Sequence, residues 1–297
     1  MRYLIKNKWL YVFLIPGLLY LLIFKYVPMF GIVIAFKKLS IVKGIWGSDW
    51  VGFQNFETLF QSAHFIRVLR NSILLSVYQI LWGFPAPILL ALMLNEVRQM
   101  LFKRITQTIL YLPHFISWVV LAGIVINFLS PTSGLVNQII TSFGHEPVKF
   151  LMEPGYFRSI IVSAEIWKGV GWGTIIYLAA MTGIDPTLYE SAKIDGASRL
   201  QRIRYITIPG IATTIIILLL LNLGNILDNG FEQVFLLYNP VTYETADIFE
   251  TYTYRIGLQD GRLSYATAVG LFKSVVGFVL ILSANYAARK ISGKSIW

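Results

Sequence analysis

Residues 185–209 read Asp-Pro-Thr-Leu-Tyr-Glu-Ser-Ala-Lys-Ile-Asp-Gly-Ala-Ser-Arg-Leu-Gln-Arg-Ile-Arg-Tyr-Ile-Thr-Ile-Pro, and they lie between two long apolar runs. Asp185-Pro186 fits a helix start, because proline's missing N–H costs nothing at the first helical position. Leu188, Ala192 and Ile194 wind one short helix, which Gly196 ends or kinks. A second block, 197–206, carries Leu200, Ile203 and Ile206 at helical spacing among Arg199, Arg202 and Arg204. Pro209 is expected to open the next membrane segment. The stretch reads as two short amphipathic helices on a membrane face, joined at a tight corner around Gly196 that another protein can approach closely. Physics alone leaves a plainer alternative open, a basic loop lying on lipid.

Working outward, the flanking composition is that of an integral membrane protein. Of 297 residues, 56% are hydrophobic and 13% charged, with a mean hydropathy of +0.65; soluble chains carry roughly 25% charged residues. About 20 apolar residues cross a bilayer core as a helix. Six segments qualify, 9–34, 71–94, 109–129, 159–182, 208–227 and 265–288, which predicts an all-α polytopic protein of one membrane domain over 1–297. The first segment is too long for a signal peptide and no small-residue cleavage site follows it, so it reads as a retained helix.

Six spans place both termini on one face. Of the 25 Lys and Arg, thirteen fall on that face: Arg2, Lys6, Lys8, Arg98, Lys103, Arg104, Lys193, Arg199, Arg202, Arg204, Arg289, Lys290 and Lys294. Nine lie on the other face in longer loops, and Lys25, Lys168 and Lys273 fall within spans. The positive-inside rule makes the termini and 185–209 cytoplasmic. The net charge of +10 is thereby a matter of topology, and nucleic acid is excluded as a partner. Membrane lipid is the solvent.

Polar residues inside spans are costly and are functional candidates by default. Glu165, Lys168, Gly169 and Trp172 share one face of span four by spacings of three, four and seven, and Glu165 is placed to pair with Lys168. Asn222, Asn225, Asp228 and Asn229 share one face of span five. At about 1.5 Å per residue, Asn222 and Glu165 reach the same depth. Amides, a carboxylate and an indole suit a sugar better than an apolar or ionic solute; the plainer alternative is that these groups hold helices together. Pro85 and Pro87 in span two predict a kink. Phe53, Phe56, Leu59 and Phe60 predict a short amphipathic helix after span one.

Several chemistries are excluded. No cysteine is present. His64, His114 and His145 are far apart, so a zinc site is not expected, and His114 reads as an interfacial side chain. No nucleophile–base pair is visible, so no catalytic residue is assigned and the chain is not expected to be an enzyme. Gly293-Lys294-Ser295 matches the end of a phosphate-binding loop, but Ala288 stands where that motif needs glycine.

The order Glu190-Ser191-Ala192, then Gly196, then Ile206-Thr207-Ile208-Pro209 resembles the EAA loop of ABC-importer permeases. That pattern is Glu-Ala-Ala, three residues, Gly, nine residues, then Ile-x-Leu-Pro. Ser191 and Ile208 depart from it by small or apolar exchanges. The segments Lys25-Tyr-Val-Pro-Met-Phe-Gly31, Gly52-Phe53-Gln54-Asn55-Phe56 and Tyr252-Thr253-Tyr254-Arg255-Ile256 are similar to oligosaccharide and polysaccharide importers of Gram-positive bacteria.

The resemblance implies a type I ABC-importer permease fold of the maltose/oligosaccharide kind in a bacterial cell membrane. It implies that Glu190, Ser191, Ala192, Asp195, Gly196 and Ala197 form a coupling helix docked on a cytoplasmic ABC ATPase dimer. ATP and Mg would act there, with no cofactor in this chain. It further implies a second, homologous permease subunit and an extracellular solute-binding lipoprotein that delivers an oligosaccharide. Solute contacts are then expected at or near Glu165, Gly169, Trp172, Asn222 and Asn225. The alternative is an ion-coupled secondary transporter of a polar solute, for which Glu165 and Asp228 are the support and inverted repeats are missing.

Overall fold

The computed structural model describes residues 8–292, whose regular structure is helix apart from one two-residue strand pair. Arg2, Lys6, Lys294 and the Gly293-Lys294-Ser295 match lie outside the described residues. In chain order the principal helices are α1 (Trp9–Phe36), α2 (Gln54–Gln61), α3 (Ala63–Asn95), α4 (Met100–Phe115) and α5 (Trp118–Leu129). They continue with α6 (Leu135–Ser142), α7 (Pro154–Thr182), α8 (Pro186–Ile194), α9 (Arg199–Gly224), α10 (Phe231–Leu237) and α11 (Leu263–Ser292).

Among the described residues, α1, α3, α9 and α11 as far as Tyr286 are each long and apolar enough to cross a membrane. The segment expected as one span over 109–129 is instead a broken pair, α4 and α5, bent by 104°. The reason is local. Pro113 sits in a 3-10 turn, Ile116 is extended (ψ 134°), and the Ser117 hydroxyl accepts from the Val120 N–H to start α5 afresh. The segment expected over 159–182 lies in α7, whose 29 residues reach about 43 Å at 1.5 Å per residue. Its length suffices, but Arg158, Glu165 and Lys168 keep it out of the apolar set.

Three of the prolines share one device. The π turns Leu22–Tyr26, Gln79–Gly83 and Ile203–Thr207 each end two residues before a proline, at Pro28, Pro85 and Pro209. A helical proline lacks its N–H and collides with the carbonyl four residues back. Widening the preceding turn to i→i+5 bonding relieves that collision and lets the helix run on. Hence Pro209 does not open a new segment. The block expected as a separate helix over 197–206 is the first part of α9, continuous from Arg199 to Gly224.

By packing, the chain divides into two compact units: Met1–Phe65 with Tyr252–Ser274, and Ile66–Thr251 with Val275–Trp297. In the first, Lys37–Lys38 pairs antiparallel with Asp49–Trp50. Asn55 of the expected amphipathic helix α2 donates to the Ala35 and Lys37 carbonyls at 2.8 and 3.2 Å. Phe36 packs on Trp50, Phe53 and Phe56, and Phe272 packs on Phe60 and Phe65.

The second unit is built around α7. Phe157, Ile161 and Val162 join Leu75, Ala122, Val234 and Leu237 in one buried cluster, and Tyr177 and Met181 join Ala91, Leu92 and Ile211 in another. Gly171 allows the closest approach, since a Cβ there would collide with the Leu110 carbonyl of α4. Small residues at such crossings let backbones pack where apolar side chains gain little from leaving lipid.

Candidate functional site

Within the second unit, α3, α7 and the end of α9 enclose a cavity of 430 Å³. Glu165 and Gly169 of α7 line it, together with Asn222, Asn225 and Asp228 at and beyond the α9 terminus. Five of the eight sequence-predicted path residues thus meet in one space, at the size usual for small-molecule sites. Glu165 accepts from Gln79 Nε2 at 2.6 Å, with the Gln233 amide beside it. Asn222 and Asn225 each donate one N–H to their own helix, to the Leu218 and Leu221 carbonyls at 2.9 and 3.4 Å. Their amide oxygens and second N–H groups have no partner among the described residues, so the wall offers both donors and acceptors.

The other three predicted residues lie elsewhere, and the expected Glu165–Lys168 pair does not form. Lys168 Nζ donates to the His114 carbonyl at 3.0 Å and to the Ile116 carbonyl, and lies 5.5 Å over the Trp118 ring. A cation at a helix C-terminus satisfies carbonyls that have lost their next turn and complements the helix dipole. Lys168 therefore caps α4 at its break. Trp172, one turn on, stacks on His114 at 4.5 Å with the rings 2° apart, so His114 packs against α7. Asn229 is fully buried, near Ser76 Oγ at 3.0 Å and donating to the Ser72 carbonyl at 3.2 Å. It ties the chain after α9 to α3.

Sequence reasoning missed the α3 wall. Ser76, Gln79, Gly83 and Pro87 line the cavity, and their spacings of three, four and four put them on one helical face. The rule that singled out α7 and α9, polar residues inside an apolar span, applied equally to Ser76 and Gln79.

At the other end of α7, residues 185–209 fold by local rules. The Asp185 carboxylate accepts from the Thr187 N–H at 2.9 Å and starts α8; that backbone hydrogen bond holds its pKa below the usual carboxylate range. The helix ends in a reciprocal pair of bonds, Ala197 N–H to the Ala192 carbonyl at 2.8 Å and Gly196 N–H to the Lys193 carbonyl at 3.1 Å. That closure needs a left-handed residue, and Gly196 supplies it at φ 77°. Ser198 and Gln201 then form a capping box that starts α9, with bonds of 3.3 and 2.7 Å. Glu190, Ser191, Asp195 and Gly196 are exposed and Ala192 and Ala197 partly so. Ile194 is 86% and Leu200 74% exposed, which leaves apolar surface around the corner. Tyr189 and Thr207 hydroxyls meet at 2.9 Å, Arg202 donates to the Ala197 carbonyl at 2.8 Å, and Ile184 packs against Gly210. The corner is fastened to the base of α9 at both ends.

With this geometry in view, residues 83–293 match the family model described as binding-protein-dependent transport system inner membrane component. Two relatives from Bacillus subtilis strain 168 are similar over nearly the whole chain. Protein LplB is 49% identical over 98% of this chain and 92% of its own length. The polygalacturonan/rhamnogalacturonan transport system permease protein YteP is 47% identical over 99% of this chain and 92% of its own. Among solved structures, a chain of a bacterial ABC transporter involved in import of the acidic polysaccharide alginate matches at TM-score 0.92 and 48% identity, covering 98% of both chains. A chain of the alginate transporter in complex with an alginate pentasaccharide-bound periplasmic protein matches at TM-score 0.92 and 47% identity, covering 99% of both. The chain belongs to the family of inner-membrane components of binding-protein-dependent transport systems, and is a multi-pass membrane protein.

Proposed function

We infer that this chain is the permease subunit of an ABC importer that takes up an oligosaccharide delivered by an extracellular solute-binding protein. The observation that carries the reading is that α7 and α9, which wall the polar cavity, are joined end to end by the short segment that holds α8 and the corner at Gly196. A push on α8 passes into α9 through the Tyr189–Thr207 bond and the Ile184–Gly210 contact. It reaches the walls that carry Glu165 and Asn222 without crossing a loose joint. A cytoplasmic ATPase dimer pressing on α8 would reshape the cavity and so alternate its access. The wall's amides and carboxylate suit hydroxyl groups, and the relatives' described cargoes are polysaccharides.

In this reading Glu190, Ser191, Ala192, Asp195, Gly196 and Ala197 meet the ATPase, where ATP and Mg act. Glu165, Gly169, Asn222, Asn225 and Asp228 face the solute; Lys168, Trp172 and Asn229 shape its path from behind. A second, homologous permease completes the translocator. The positive-inside bias makes both termini and the coupling segment cytoplasmic.

The test is ATPase activity of the assembled importer in nanodiscs, with its binding protein empty or loaded with pectin-, xylan- or alginate-type oligosaccharides. Stimulation by one loaded form supports the reading and names the cargo class. A chain that purifies without any ATPase and moves solute down an imposed ion gradient is a secondary transporter instead.

A further inference from the structure

Two helical turns from Glu165, at the end of α7 remote from the coupling segment, Arg158 faces a second cavity. It measures 390 Å³ and is lined by Tyr78, Trp82, Arg158, Ser159, Ser163 and Ile166 among others. Ile166 also lines the larger cavity, so the two spaces adjoin along α7. Arg158 Nη2 donates to Asn71 Oδ1 at 2.9 Å. Asn71 is itself fixed, 1% exposed, with its amide donating to the Glu244 and Asp247 carbonyls at 3.0 and 3.1 Å. The guanidinium is thus held in place by a rigid neutral partner.

Its charge is unanswered. A guanidinium has five N–H donors, and among the described residues the Asn71 bond is the only hydrogen bond that Arg158 makes; its Nε is buried with no acceptor among them. Among the described residues no carboxylate lies within ion-pair distance of it, and Arg70 adds a second positive charge nearby. Half-buried arginines are ordinarily paired, because an unpaired charge away from water is costly. A fixed, unpaired fork fits a planar carboxylate better than any neutral group. Two serine hydroxyls and two aromatic faces beside it are the groups that recognise a pyranose ring.

We propose that the Arg158 pocket is a carboxylate subsite, through which an acidic, uronate-type oligosaccharide is guided into the central cavity. The proposal rests on the oligosaccharide-importer reading and names the cargo's charge. A lipid phosphate could also answer the guanidinium, but the serines and the junction with the central cavity favour a sugar, and the test separates the two.

The assembled importer in nanodiscs is titrated with tri-galacturonate and with its carboxyl-reduced counterpart, following tryptophan fluorescence. Arg158→Gln should weaken tri-galacturonate binding by about tenfold or more, the size of a lost charge-assisted bond, and leave the reduced sugar unchanged. Arg158→Lys, which keeps the charge but not the fork, should fall between and guards against misfolding. Equal weakening for both sugars, or none for either, overturns the subsite. So does a variant that loses co-purified phosphatidylglycerol while keeping its sugar affinity, since Arg158 would then hold a lipid phosphate. An importer whose ATPase answers no sugar-loaded binding protein fails the transport reading itself; one that answers galacturonide equally with and without Arg158 fails the subsite alone.

Discussion

Residues 185–209 and helix α7 are neighbours in the chain, and both are punctuated by charged and small residues, yet they are held in opposite ways. In the first, the bonds that shape the turns span two to five residues, Asp185 to Thr187, Ala197 to Ala192 and Gln201 to Ser198, and the longer Tyr189–Thr207 bond still joins two residues of the same stretch. In the second, the polar side chains reach far along the sequence: Lys168 to His114 and Ile116, Glu165 to Gln79, Arg158 to Asn71. The corner at Gly196 is a shape that makes itself and leaves its outer surface bare. The span is a shape made by its neighbours.

That contrast can be broken at either end, and the largest effect is expected at Gly196. A Cβ there meets open space but forces an L-residue to φ 77°, a strain of roughly 1–2 kcal/mol. If the corner docks an ATPase as proposed, Gly196→Trp should leave membrane insertion and assembly of the path intact while uptake falls to background, because the added bulk fills the docking surface. Normal uptake at normal expression would remove the docking role.

Lys168→Met should act the other way, on stability. It leaves the carbonyls at the α4 break without their donor, a loss of about 3 kcal/mol. Thermal unfolding of the assembled importer should shift down by several degrees, with Lys168→Arg recovering part of the loss. No shift would mean that the bend between α4 and α5 stands without its cap.

Two smaller effects sharpen the local side. Ser198→Ala removes one half of the capping box and should cost about 1 kcal/mol of local stability, seen as faster amide exchange at Gln201 with α7 unaffected. Spread of that change into α7 would deny the independence claimed for the corner. Asp185 titrates below the ordinary carboxylate range because it is bound as an anion in the fold. Its contribution is therefore present above the unfolded carboxylate pKa, about 3.9, and is lost as pH falls through the lower folded value. Protection of the Thr187 amide should disappear over that acidic window, and Asp185→Asn, a cap at any pH, should abolish the dependence.

The amino-acid sequence by itself determined the helical class, most of the apolar segments, and the start and corner of the first short helix in 185–209. Asp185-Pro186 and Gly196 act on backbone within a few residues of themselves, so their meaning does not wait for a fold; the Ser198/Gln201 cap is equally local and was passed over. The sequence also placed four of the cavity's polar residues, Glu165, Asn222, Asn225 and Asp228, because charge and amide in an apolar span are conspicuous wherever the span packs. Tertiary structure alone decided which of those residues face the cavity. Glu165 and Lys168 have the right spacing to pair, but one turn of helix separates their surroundings. Lys168 meets a broken helix end whose bare carbonyls satisfy a cation directly, and Glu165 meets the Gln79 amide. The 104° bend between α4 and α5 was likewise hidden, because hydropathy records only that residues 109–129 are apolar. Direction is set by the extended backbone at Ile116 and by what α7 brings up against it.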